Sequence, residues 1–208
     1  VHHDMKADGQ TVYFPDIRTT AKDSETEIGL GLADSQVTIV DTVSYEGLRP
    51  GLEYKVTGTL VDKATGNAVE NITAETTFTP AKSKGTVDVT FNFNGKSLEG
   101  KTVVVYENLT YKGVDLADHR NLQDDGQTIY FPDIWTTAKD TEFDDHISMA
   151  DEEITIIDTV DYTDLRPGVE YKVSGKLMNK ATGEPVMVDE KEVTAETVFT
   201  PESPNGSV

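Results

Sequence analysis

The chain has no cysteine among its 208 residues, so neither a disulfide framework nor a thiolate metal site is available to brace it. Cations are scarce: 18 Lys and Arg stand against 38 Asp and Glu, for a net charge of −20. The acids are scattered and form no tail, which implies a solvated, self-repelling surface and excludes nucleic acid as a natural partner. No apolar run is long enough to span a membrane, and no signal peptide or anchor motif is legible. Both ends read as cut from something longer, so these absences say little about the parent protein.

What is present is a tandem repeat. Residues 8–23, DGQTVYFPDIRTTAKD, return at 125–140 as DGQTIYFPDIWTTAKD, with two differences. At the same offset of 117, DTVSYEGLRPGLEYKVTGTL (41–60) returns as DTVDYTDLRPGVEYKVSGKL, followed in both copies by KATG and later TAET. The repeat is of immunoglobulin size. Its phasing divides the chain into a terminal strand of a preceding repeat (1–14), one complete repeat (15–131) and the front of another (132–208). GSV at 206–208 aligns with GTV at 85–87 after a small insertion around Val186–Glu192.

Within the repeat, alternating stretches such as VTIVDTV, YKVTGTL, TVDVTFNF and KTVVVYENL are separated by Gly, Pro, Asn and Asp turns, and no run has helical period. This predicts an all-β chain of tandem immunoglobulin-like sandwiches. A strand sends alternate side chains to opposite faces, so a polar residue in phase with an apolar stripe is expected in the core. Asp41 falls in phase with Val37, Ile39 and Val43, and Asp158 with Ile154, Ile156 and Val160. Glu107 follows Val103 and Val105; Thr19 lies between Ile17 and Ala21. Gln127 shares its phase with Ile129 and Phe131, as Gln10 does with Val12 and Phe14, and His119 lies eight residues before Gln127. A buried, unpaired carboxylate costs several kcal/mol, so acids at such positions need a shared proton or donors. Pattern alone leaves open whether these residues form a reactive site or are ordinary satisfied polar groups of a sandwich core.

VVVYENL, DHRNLQDDGQT and YFPDIRTTAKD, together with IVDTVSYEGLRPGLEYKVTGTL, resemble the VaFE-type repeats of Gram-positive surface adhesins, the Thr–Gln ester-bond domains. The one mild departure is Tyr106 where the family usually has Phe. The resemblance implies a spontaneous ester between Thr19 and Gln127 with loss of ammonia, assisted by Asp41, Glu107 and His119. In mechanism, His119 is expected to take the Thr19 proton and return one to the leaving nitrogen, Asp41 to orient or charge the imidazole, and Glu107, or a proton shared between Glu107 and Asp41, to hydrogen-bond the Gln127 amide and stabilise the oxyanion. No cofactor or metal is implied, and the reaction is a single turnover, not enzymatic catalysis. Thr136 and Asp158 of the partial repeat, and His2 and Gln10 at the start, are the stranded equivalents, with a trans link between Gln10 and another chain's Thr136 as a remote option. The expected setting is extracellular, on a cell-wall-anchored bacterial surface stalk. Its partners would be neighbouring repeats and a host ligand bound through other domains, with Pro132 and outward-facing Trp135 at the repeat junction.

Two alternatives stay open. The sandwich loops could form a ligand-binding adhesin module. A Lys–Asn isopeptide could replace the ester, with Lys55 or Lys101 and Asn92 or Asn108 as partners. Asp4, Asp8, Asp124 and Asp125 are oxygen ligands a Ca²⁺ ion would accept, but acidic turn residues are usually just solvated; His3 and His146 are read as surface residues.

Overall fold

The structure, a computed structural model, describes residues 10–208. The chain divides into two compact units, Val1–Phe131 and Pro132–Val208. Both are built from β-strands, the all-β immunoglobulin-like architecture the turn spacing predicts. Among the described residues, no helix is long and apolar enough to cross a membrane.

In the first unit one sheet runs β1 (Asp16–Asp23), β2 (Val37–Glu46), β5 (Gly85–Phe93). The other runs β4 (Ala68–Phe78), β3 (Tyr54–Asp62), β6 (Lys101–Tyr111), β7 (Val114–His119). A short last strand, β8 (Thr128–Phe131), pairs with residues 101–104 of β6, while β7 pairs with residues 107–111. One edge of β6 therefore carries two strands in line, broken by a loop that ends in a single 3-10 turn, Asp125–Gln127. The free edge of β8 is covered in turn: Gly31 N donates to Tyr130 O and Tyr130 N to Gly29 O, which removes an exposed ladder edge. That approach needs Gly31, because a Cβ there would lie 2.5 Å from the Phe131 ring.

The core lies between the sheets. Ile39, Val43, Leu60, Val89, Val103, Val105, Leu109, Ile129 and Phe131 are completely buried there, and each large apolar side chain so placed contributes roughly 1.5–3 kcal/mol. The inward phase is as expected from sequence. Along β1 the buried positions are Ile17, Thr19, Ala21 and Asp23, and along β2 Val37, Ile39, Asp41, Val43 and Tyr45.

The second unit repeats the front of this plan. β9 (Asp133–Asp140), β10 (Ile156–Thr163) and β15 (Gly206–Ser207) form one sheet, and β11 (Tyr171–Lys176) pairs with β14 (Thr194–Phe199). The insertion near Val186–Glu192 is an added hairpin, β12 (Met187–Val188) and β13 (Lys191–Glu192). Its two turn residues, Asp189 and Glu190, have φ of 48° and 65°, the left-handed pair that a tight two-residue hairpin requires. Strands equivalent to β6, β7 and β8 are absent among the residues of this unit. Ile134, Ile154 and Ile156, whose counterparts Ile17, Val37 and Ile39 are buried, are accordingly exposed.

Candidate crosslinking site

Five side chains from five parts of the first unit converge between its sheets. Thr19 comes from β1, Asp41 from β2, Glu107 from β6, His119 from the end of β7 and Gln127 from the 3-10 turn before β8. Register fixes four of them. Asp41 pairs with Ala21 and Val43 with Thr19 across β1 and β2, so Thr19 and Asp41 share a face one step apart, and Glu107 pairs directly with His119 across β6 and β7. Gln127 arrives by a different route from the one strand phase implies. It closes the 3-10 turn and is not part of a continuous strand from His119, yet it is fully buried, together with Asp41; Glu107 and Thr19 are nearly so.

Thr19 and Gln127 are in direct contact: the Gln127 amide nitrogen lies against Thr19 Oγ1, across a sequence separation of 108 residues. Thr19 Oγ1 also donates to Glu107 Oε2 at 3.1 Å and lies 3.3 Å from His119 Nδ1. Gln127 Nε2 donates to the same Glu107 oxygen at 2.7 Å. Glu107 thus accepts from the nitrogen of the Gln127 amide, and the Gln127 carbonyl oxygen is not bonded to it.

Among the described residues, four buried oxygens have no hydrogen-bond partner: both of Asp41, Glu107 Oε1 and Gln127 Oε1. Orphaned carboxylate oxygens at this depth are costly unless protons lie between them. Burial, then the neighbouring Asp41, pushes the Glu107 carboxyl up to about 10, and burial raises Asp41 as well, with Glu107, Thr19 and the His119 ring opposing it. The two acids titrate as a pair and retain a proton at neutral pH.

The imidazole has a partner that sequence reading missed. His119 Nε2 lies 3.2 Å from Asp124 Oδ2, so the ring is oriented by Asp124, where Asp41 was the expected group. Asp124, which composition placed among solvated or calcium-binding turn acids, also accepts from Gly126 N at 2.8 Å through Oδ1. The only sequence-level cue was its position before the 3-10 turn, where an Asp favours capping. Among the described residues, no group of three or more His, Asp or Glu side chains is arranged to hold a metal.

The other candidates lie apart. Thr136 and Asp158 keep the register of the first unit, pairing with Val160 and Ala138, but both are exposed, and among the described residues neither has a hydrogen bond to a Glu, His or Gln side chain. Gln10 is exposed; His2, His3, Asp4 and Asp8 lie outside the described residues, and His146 is exposed. The isopeptide candidates are engaged elsewhere or face outward: Lys55 pairs with Glu75, Asn92 accepts from Thr38, Asn108 donates to Asp115, and Lys101 is exposed.

A bacterial adhesin from Mobiluncus mulieris containing intramolecular disulfide, isopeptide and ester bond cross-links is similar in two crystal forms. Identities are 15% and 16%, TM-scores 0.48 and 0.49, covering 89% and 88% of this chain and 93% and 92% of that one. A putative β-galactosidase from Bacteroides fragilis is similar over 50% of this chain and 16% of its own, at 12% identity and a TM-score of 0.39. Comparison with curated proteins finds no match. The family of T-Q ester bond containing domains matches residues 15–131 and again 132–208, nearly the whole sequence, and the chain therefore belongs to the T-Q ester bond domain family.

Proposed function

We propose that residues 15–131 form a self-crosslinking stalk repeat of an extracellular bacterial adhesin, locked by an ester between Thr19 Oγ1 and the Gln127 side-chain carbonyl carbon. The observation that carries this reading is the buried contact of the Thr19 hydroxyl with the Gln127 amide beside an imidazole and a proton-retaining acid pair. A Thr hydroxyl is a poor nucleophile and an amide a poor electrophile, so contact has to be accompanied by activation.

The steps balance as follows. His119 Nδ1 takes the Thr19 proton as Oγ1 attacks Cδ of Gln127. The amide nitrogen, seated on Glu107 Oε2, receives the proton held by the Asp41–Glu107 pair, the C–N bond breaks and ammonia leaves. His119 then returns its proton to the acid pair, so one hydroxyl and one carboxamide become one ester and one ammonia. Folding supplies the proximity, a contribution of roughly 7–11 kcal/mol to the barrier. The site acts once on its own chain and turns over no substrate.

Tension on a tandem array enters each repeat through its ends, and a Thr19–Gln127 bond would carry it past everything between. The family match and the outward acidity support a surface setting; cell-wall anchoring in a Gram-positive envelope and a host ligand held by other domains complete the proposal. Residues 1–14 and 132–208 are assigned to flanking repeats. Intact mass tests the bond: the wild-type chain should be lighter than its sequence by one ammonia, and Thr19→Ala should show its full sequence mass. Alkaline hydroxylamine should open the ester link, whereas an isopeptide would survive it. A wild-type chain of full sequence mass refutes the ester.

A further inference from the structure

We infer that Lys63 is a positioning residue for the crosslinking reaction: its ammonium holds the hydroxyl of Thr128, the residue directly after Gln127, and so fixes the turn that presents the electrophile. The inference rests on the ester reading and adds to it a residue at the end of β3, a strand that contributes no side chain to the site. Lys63 opens the repeated KATG stretch just after β3. The turn there closes without the lysine side chain. Asp62 Oδ1 accepts from Ala64 N at 3.0 Å and from Thr65 N at 2.9 Å, Gly66 N donates to Asp62 O at 2.8 Å, and Gly66 has a φ of 70°. Lys63 is tied instead to β6, its own N–H donating to Thr102 O at 2.9 Å. From there its Nζ reaches β8 and donates to Thr128 Oγ1 at 3.1 Å.

Thr128 is buried although it lies out of phase with Ile129 of the core. Val61 pairs with Val104 and Val104 with Thr128, so the three make one row across β3, β6 and β8, and all are buried. A hydroxyl in such a place needs both its hydrogen and a lone pair engaged. The hydrogen goes to Asp124 O at 2.8 Å, the same carbonyl that accepts from Gln127 N at 3.2 Å. The lone pair receives the Lys63 ammonium. A charged donor makes the stronger kind of hydrogen bond, and by polarising the hydroxyl it strengthens the bond that Thr128 passes on to Asp124 O. Lys63 thereby clamps the 3-10 turn of Gln127 without touching either reacting group. Lys180, its equivalent at the offset of 117, is exposed in a unit without counterparts of β6, β7 and β8.

Lys63→Met keeps the apolar stem and removes the ammonium, whereas Lys63→Arg keeps a charged donor. Ammonia loss would be followed by intact mass from cell-free synthesis onward, at a temperature where denaturant curves show unlinked T19A and T19A/K63M fully folded, so that rate is read apart from stability. K63M should seal about tenfold more slowly than wild type, the factor that about 1.4 kcal/mol makes in a rate, and K63R within about threefold of wild type. Thr128→Val removes the contact from its other side; it should slow sealing at least as much, and adding K63M to it should change the rate no further. In the T19A background, K63M should speed hydrogen exchange at the Gln127 amide and leave Val43 in β2 unchanged. K63M or T128V sealing at the wild-type rate, K63R no faster than K63M, K63M slowing T128V further, or unchanged exchange at Gln127 overturns the role of Lys63. Wild-type chains that never lose ammonia overturn the ester reading instead.

Discussion

Replacing Thr19 by Ala removes the nucleophile from a position 7% exposed and leaves every strand of the first unit in place, so its consequences measure what the bond does mechanically. The two residues the proposed ester would join are 108 apart in sequence, and at about 3.3–3.6 Å per residue the enclosed chain has a contour length of roughly 360–390 Å. With the bond formed, pulling from the ends should never release that length, because force passes from residue 19 to residue 127. In T19A the unit should unfold under load and add a step of about that size in single-molecule force spectroscopy. The bond also removes loop-closure entropy from the unfolded chain: by the relation for a cross-link closing about 100 residues, roughly 4–5 kcal/mol. For a domain of this size, T19A should therefore melt about 15–25 °C lower. A wild-type unit that yields the full-length step, or a T19A unit that melts within a few degrees of wild type, refutes the covalent tether.

Two further outcomes follow from the interior. In T19A the Glu107 carboxyl remains raised, since the lost hydroxyl contact lowered it. Between its ordinary value of 4.5 and about 10 the folded chain binds more protons than the unfolded one, so denaturant stability should fall as pH rises through that window and level off above it; T19A/E107Q should show a flatter profile and greater stability at pH 8 by about a few kcal/mol, and identical profiles would refute the buried proton. A Cβ added at Gly58 would lie 2.5 Å from the buried Phe91 ring, whereas at Gly175, its equivalent in the second unit, nothing lies within 4 Å. Gly58→Ala should cost about 1–3 kcal/mol by chemical denaturation and Gly175→Ala almost nothing, and equal effects would refute the packing argument.

Much of this site was written in strand phase. Thr19, Asp41 and Glu107 each interrupt an apolar stripe at a step of two, and a strand buried on one face has no alternative way to orient such a residue. Phase fails where the backbone stops being a strand. Gln127 closes a 3-10 turn, so its inward direction depends on the cap and the loop geometry, neither of which has a period. Asp124 was hidden for the same reason, because an Asp in NLQDDG looks like any solvated turn acid until the turn is folded and His119 stands beside it. Phase also describes only one face of an interface. Ile154 and Ile156 have the inward pattern of Val37 and Ile39 but are open to solvent, because what covers a stripe is supplied by other strands.

The second unit separates what register supplies from what enclosure supplies. Thr136 and Asp158 have the same strand partners as Thr19 and Asp41, so the first sheet alone sets their spacing. Asp158 nevertheless stays in water, while Asp41 is fully buried under residues brought by β6, β7 and the turn before β8. The same segments bring Glu107, His119, Asp124 and Gln127. Desolvation, base and electrophile thus all arrive with the docking of the last strands, and none can act on the hydroxyl earlier. In the proposed reaction, a repeat therefore has to complete its sandwich before it can seal it, which ties ester formation to correct strand order and keeps Thr19 from reacting in a half-folded chain.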